Sequence, residues 1–239
     1  MNKIVVGIVP KIVLNTTDDP YQDIYSFVNN YPKRIYEAGA IPVGLLFNDG
    51  KISLEQLELC DAFIIPGGNR IDQGFYQLLA YAKKNNKPVL GICMGMQAIS
   101  VFSVINDMID DLDNPESFRI AYEDMKNNNP TLYKLDEDNI HSHQVIRTNV
   151  DTARHDVTLD KNSLLAELYN KEVVSGVSLH GIAIKRVGSL MNVVGHTEDD
   201  VIEAIENKDL LWLGVQYHPE IDDEDVLINR FIKEIERRS

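Results

Sequence analysis

The sequence predicts an α/β fold, a mostly parallel central sheet flanked by helices, and three observations carry that expectation. Short β-rich runs alternate with helical patterns over the first hundred residues, two of the runs end in glycine-bearing turns, and the runs are apolar throughout. Strands buried on both faces by crossover helices read this way, whereas half-exposed strands alternate apolar with polar. With 239 residues, 44% hydrophobic and 25% charged, the chain can bury one sizeable core, so a single domain over 1–239 is expected.

Taken in order, Ile4-Val5-Val6-Gly7-Ile8-Val9 reads as the first strand. Residues 21–37 read as a mixed segment whose helical pattern is closed by Ala38-Gly39-Ala40, and Pro32 inside that pattern should kink or split it. Residues 41–47, then Ala62-Phe63-Ile64-Ile65, then 88–92 read as further strands. The last is reached from a helix that begins near Gln73 and stops at Asn85-Asn86-Lys87-Pro88. A helical stretch runs on through Ile105. From 106 to 138 Asp, Asn and Glu dominate, which reads as an exposed, partly helical excursion able to flank or cover a site. Strand-like runs return at 173–179, 190–195 and 211–217, and an amphipathic helix from about Glu224 to Arg238 follows.

Charge and cysteine content narrow the function. Lys and Arg total 23 against 37 Asp and Glu, a formal charge of −14, which repels phosphate backbones and anionic lipid headgroups. No nucleic acid and no membrane partner is therefore expected. The first residues enter an apolar β-rich run without a small-residue cleavage site, and no apolar stretch has the length of a membrane span, so the expected location is cytoplasmic. The two cysteines, Cys60 and Cys93, stand in no metal-ligand spacing and make no disulfide framework. Cys60, at the start of a strand with no glycines beside it, reads as a small buried hydrophobe.

Cys93 is different. Pro88-Val89-Leu90-Gly91-Ile92-Cys93-Met94-Gly95-Met96-Gln97 is an apolar strand running through Gly-x-Cys-x-Gly into a helix, the form of a nucleophile elbow. A nucleophile raised on so tight a turn needs small residues two positions either side, where neighbouring backbone comes close. The same turn aims a helix N-terminus at the sulfur and favours the thiolate that attacks a carbonyl. Among six histidines, His218 follows the buried-strand pattern Leu211-Trp212-Leu213-Gly214-Val215-Gln216-Tyr217, at the strand end where sites of parallel sheets collect. Glu220, two residues on and beyond Pro219, is spaced to hold one imidazole nitrogen and leave the other facing sulfur. Ile64-Ile65-Pro66-Gly67-Gly68 ends another strand on that edge, where a glycine N–H and that of Met94 could receive an oxyanion. His141-Ser142-His143 offers a metal pair or a substrate contact but reads as solvated on a polar loop, and His155 and His196 read as structural or exposed.

Pro-Gly-Gly, then Gly-Ile-Cys-Met-Gly-Met-Gln, then Gly-Val-Gln-Tyr-His-Pro-Glu, in that order, resemble the class I glutamine amidotransferase superfamily. Within it the chain is similar to the γ-glutamyl hydrolase (peptidase C26) branch that includes γ-glutamyl-γ-aminobutyrate hydrolases. The likeness extends over Tyr36-Glu37-Ala38-Gly39-Ala40-Ile41-Pro42, residues 155–168 and the closing helix. It implies a flavodoxin-like class I glutamine amidotransferase fold, Cys93 as nucleophile, His218 as base and then acid, Glu220 as orienter, and Gly68 and Met94 as oxyanion donors. It also implies substrate contacts at Gln97 and His180, a small γ-glutamyl substrate, no cofactor and no metal, and it allows a homodimer. The branch often carries Asn-Ser-x-His-His-Gln where this chain has Val177-Ser178-Leu179-His180-Gly181-Ile182, and Gly-Gly-Thr-Leu where this chain has Ser103-Val104-Ile105-Asn106. Arg70 stands where the branch has Asp after Pro-Gly-Gly. These departures fall in recognition segments and leave the chemistry intact. Two alternatives to a free-standing amidohydrolase follow: a glutaminase subunit that delivers ammonia to a separate synthase, and a weakly catalytic binding or regulatory homologue.

Overall fold

The computed structural model describes residues 3–13, 24–48, 50–71, 73–136, 141 and 150–239. The chain begins with β1 (Val5–Ile8), a small hairpin of β2 (Lys11–Val13) and β3 (Ile24–Ser26), α1 (Asn30–Glu37) and β4 (Ile41–Gly44). A second hairpin, β5 (Phe47–Asn48) with β6 (Lys51–Ile52), leads to α2 (Leu54–Glu58), β7 (Ala62–Ile65), α3 (Gln73–Lys84), β8 (Val89–Ile92) and α4 (Met94–Asn106). Then come α5 (Pro115–Asn128), β9 (Leu132–Lys134), β10 (Arg154–Leu159), α6 (Leu164–Tyr169) and β11 (Val173–Val177). The remainder is β12 (Ile182–Ile184), β13 (Asn192–His196), β14 (Ile202–Asn207), β15 (Trp212–Val215) and α7 (Leu227–Arg238).

One large sheet organises these elements, in the order β11-β10-β13-β14-β15-β8-β7-β1-β4, with β12 on β14 and β9 on β12. From β15 to β4 every pairing is parallel; from β14 outward the pairings are antiparallel. The five parallel strands are apolar on both faces because side chains alternate across a pleat. Val6, Ile8, Ala62, Ile64, Leu90, Ile92, Leu213 and Val215 enter one core with α1, α6 and α7. Their neighbours Phe63, Ile65, Val89 and Trp212 enter a second core with α3, α4 and α5. In α7 the residues Leu227, Ile228, Phe231, Ile232 and Ile235 form one buried stripe, each contributing about 1.5–3 kcal/mol on burial. Cys60 is fully buried, and burial pushes its thiol up to about 11, in keeping with a packing role.

The fold differs from the sequence expectation at two places. Pro32 does not kink α1: the helix starts at Asn30, so the proline sits in the first turn, where its missing N–H has no intrahelical duty. Within the segment expected to be mixed, residues 24–26 pair as β3. The acidic stretch after Asn106 is not a wholly exposed excursion, because α5 docks Phe118, Ala121 and Met125 into the second core and Phe118 packs on Tyr76 at 4.7 Å between ring centroids.

One of the tightest crossings among the described residues is that of α4 under β7. A Cβ on Gly95 would lie 2.0 Å from the Ile65 carbonyl oxygen, and one on Gly91 would lie 2.6 Å from the Gly95 carbonyl. Both obstacles are backbone and cannot rotate away. Gly95→Ala is therefore expected to cost about 3 kcal/mol or more. Gly39→Ala, which meets open space but must hold φ at +90°, should cost about 1–2 kcal/mol. Urea midpoints of the two variants check that ranking.

Candidate active site

Parallel pairing sets the site. Gly214 lies opposite Gly91 and Val215 opposite Ile92, so both strands end at the same edge, and the Cys93 N–H donates to Val215 O at 2.8 Å. Cys93 takes φ 52° and ψ −109°, a conformation that costs a non-glycine residue about 1–3 kcal/mol and persists only where surroundings enforce it. Here the enforcement is Gly91 and Gly95 packed against neighbouring backbone. The helix begins at once: Gln97 N–H donates to Cys93 O at 3.1 Å, which leaves the amides of Met94, Gly95 and Met96 without intrahelical acceptors. Their positive ends face the sulfur.

Two residues past β15, the chain turns. His218 N–H is fixed to Val177 O at 2.9 Å, and the imidazole Nδ1 meets Glu220 Oε1 at 2.7 Å. Burial alone would depress the His218 pKa; the Glu220 carboxylate and the hydrogen bond and charge of Cys93 outweigh it, leaving the pKa well above its ordinary 6.5. Cys93, His218 and Glu220 are all buried, and the structure thus brings the three together. Gly67 closes over them: a Cβ there would fall 2.7 Å from His218 Cε1 and 3.4 Å from Cys93 Cβ.

A residue that sequence reasoning did not single out completes this arrangement. Tyr31, buried on α1, donates its hydroxyl to Glu220 Oε1 at 2.8 Å and accepts the Gly67 N–H at 3.0 Å. Burial, then the adjacent Glu220, hold its phenol well above its ordinary pKa, so it stays a donor at neutral pH. Asn30 Nδ2 and Arg34 Nε also donate to Glu220 O, at 3.2 and 3.4 Å, and Arg34 pairs with Asp223 at 2.6 Å. The first helix therefore clamps the turn that bears His218 and Glu220. The Gly67 N–H is thus committed to Tyr31, and Gly68 packs against the Met94 side chain.

The two expected substrate contacts are otherwise employed. Gln97 is buried, and its Nε2 donates to Ile182 O at 3.0 Å and to Gln216 Oε1 at 3.4 Å, so it ties the elbow helix to two neighbouring segments. His180 is also held at both ring nitrogens: its Nε2 meets Glu203 Oε1 and its Nδ1 meets Ile182 O, both at 3.1 Å. One further expectation is corrected: His141 is not solvated but wholly buried. His155 is 9% exposed and packed against it. Both face Glu203, together with His180. His143 lies outside the described residues.

A model of the peptidase C26 family matches residues 72–220, more than half of the chain. The chain belongs to the peptidase C26 family. It is 27% identical to a glutamine amidotransferase-like protein of Rickettsia prowazekii over 91% of each sequence. It is also 30% identical to the CTP synthase of Coprothermobacter proteolyticus over 70% of this chain, which spans 32% of that enzyme. In structure it resembles the glutaminase domain of Trypanosoma brucei CTP synthase, solved with bound acivicin, with a TM-score of 0.65, 19% identity and coverage of 98% and 92%. A glutamine amidotransferase of Thermotoga maritima gives a TM-score of 0.59 at 12% identity, covering 100% of this chain and 84% of that one. This family member thus has the class I glutamine amidotransferase fold. No helix among its described residues is long and apolar enough to cross a membrane.

The raised His218 pKa gives a signed expectation. The stability contributed by the imidazolium–Glu220 pair is present in full below the ordinary value of 6.5 and is lost as pH rises through the folded value. Glu220→Gln removes the carboxylate charge that opposes burial most strongly, so the His218 pKa should fall. A histidine-resolved NMR titration checks this, and an unmoved pKa contradicts the assignment of Glu220 as its cause.

Proposed function

We propose that this protein is a cysteine-dependent amidohydrolase that cleaves the γ-glutamyl amide bond of a small glutamine-like or γ-glutamyl-amine substrate. The observation that carries the reading is the strained Cys93 at a helix N-terminus with the His218–Glu220 pair on the adjacent parallel strand. With the Cys93 proton held on His218, the Sγ thiolate attacks the amide carbonyl. The tetrahedral oxyanion is received by the backbone N–H groups of Gly68 and Met94. Collapse breaks the C–N bond, His218 returns the proton to the departing amine, and a glutamyl thioester remains on Cys93. Water, deprotonated by the same imidazole, then attacks the thioester and releases glutamate and the thiol. Glu220 holds His218 Nδ1 so that the other ring nitrogen serves the sulfur and the leaving amine, and Tyr31 keeps Glu220 in place.

A second reading is favoured by one finding, the likeness to CTP synthases over 70% of this chain: a glutaminase that passes ammonia to a separate synthase. The two differ in what the chain does alone. Glutamate release from a panel of γ-glutamyl amines and glutamine is the test, with Cys93→Ser alongside. The hydrolase reading expects robust release from at least one γ-glutamyl amine by the isolated chain, falling by about 10⁴-fold or more in the variant. Release from glutamine alone, and slowly, favours the glutaminase. Release that survives Cys93→Ser overturns both.

A further inference from the structure

Behind the strand that leads to His218 lies a second constellation that the proposed reaction does not use. Past the end of β13, His155 from β10 and Glu203 from β14 meet, joined by His180 from the segment before β12 and by His141. One carboxylate oxygen, Glu203 Oε1, stands 3.1 Å from His180 Nε2, 3.3 Å from His141 Nδ1 and 3.9 Å from His155 Nε2. The four donor atoms all lie within 4.8 Å of one another. Three imidazoles converging on a single carboxylate oxygen is a poor hydrogen-bonding solution, because that oxygen has too few lone pairs to serve them all. The consequence is visible: His155 Nε2 and Glu203 Oε2 are buried and have no hydrogen-bond partner among the described residues. Unpaired buried polar atoms are costly enough that each calls for an explanation.

We infer that His141, His155, His180 and Glu203 form a structural zinc site. A tetrahedral Zn²⁺ with bonds of about 2.0–2.1 Å to nitrogen and oxygen sets its donors roughly 3.3 Å apart, close to the separations from Glu203 Oε1. The donor chemistry, three imidazole nitrogens and one carboxylate, is that of zinc. Four protein ligands close the coordination sphere, which marks a structural rather than a catalytic ion.

The outer partners point the same way. A zinc-bound histidine donates its other ring N–H to a carboxylate or carbonyl, which fixes the tautomer that leaves the ligating nitrogen bare. His141 Nε2 meets the Asp199 carboxylate at 3.1 Å, leaving Nδ1 toward Glu203, and Thr197 in turn donates to Asp199 at 2.6 Å. His180 Nδ1 meets Ile182 O at 3.1 Å, leaving Nε2 inward.

Such an ion would brace the half of the sheet that supports the catalytic histidine. Glu203 O accepts the Gln216 N–H at 2.9 Å, and Val177 O accepts the His218 N–H at 2.9 Å. Ser178, next along from Val177, donates its hydroxyl to His141 O at 3.0 Å. Zinc would thus pin β10, β14 and the segment before β12 directly behind the turn that carries His218.

The test is zinc titration of the chelator-stripped full chain against a competing chromophoric chelator, with Co²⁺ absorption as a reporter of tetrahedral geometry. The proposal expects one zinc per chain in the wild type and equally in Cys93→Ser, with a tetrahedral cobalt spectrum in both and a Tm that rises with added zinc. Asp199→Asn should weaken binding by about 10–100-fold, the usual effect of losing an outer partner; His155→Ala and Glu203→Gln should weaken it further. A folded wild type that takes up no zinc and gives no tetrahedral cobalt spectrum overturns the proposal, whatever the variants do. So does binding that disappears in Cys93→Ser but survives His155→Ala, which would put the metal on the elbow thiol.

Discussion

The parallel pairing of β15 with β8 is the constraint on which the rest of this molecule depends. With Gly214 opposite Gly91 and Val215 opposite Ile92, two segments more than a hundred residues apart in sequence stop at the same level of one sheet. What each does next is then chemically linked: one turns sharply into a helix and lifts Cys93, the other turns through Pro219 and lowers His218 beside it. A one-residue slip would exchange the two buried faces of β15 and misplace both groups together.

That alignment is maintained at a cost that the neighbouring backbone offsets. Cys93 holds a positive φ because Gly91 and Gly95 allow β7, β8 and α4 to pack closer than any side chain would permit. On the other side, Tyr31 joins three elements through one hydroxyl: it donates to Glu220 and accepts from Gly67. The two turns that frame the sulfur are therefore not independent loops. They share a single buried phenol on α1, so a change in the packing of that helix should be felt at Glu220 before it is felt at Cys93.

Much of the parallel half of the fold and the elbow were legible in the sequence because their signals are local. Gly-x-Cys-x-Gly and His-Pro-Glu each fit within a few residues, and strands buried on both faces announce themselves as apolar runs. The antiparallel half was harder. In β10, Arg154–Leu159, the inward residues His155, Val157 and Leu159 alternate with polar ones, but a histidine at the first inward position disguises the period. In β14, Ile202–Asn207, Glu203 and Glu206 are both buried, which a hydropathy pattern reads as surface. Glu206 is tolerated because it accepts the backbone N–H groups of Leu164 and Leu165 at 2.9 and 3.0 Å, and Glu203 because three imidazoles surround it. Tyr31 left no mark at all: it stands 62 positions before Cys93, and only the folded chain brings it to Glu220. The same holds for the histidine cluster, whose members come from four separate stretches.

The central claim is a covalent glutamyl intermediate on Cys93, and partitioning with hydroxylamine tests it most directly. If the thioester forms, hydroxylamine competes with water for a common species. Different γ-glutamyl amides should then give γ-glutamyl hydroxamate and glutamate in one fixed ratio, whatever amine has left. A ratio that changes with the leaving amine, or glutamate release with no hydroxamate at any hydroxylamine concentration, would contradict the account and point to direct attack by water.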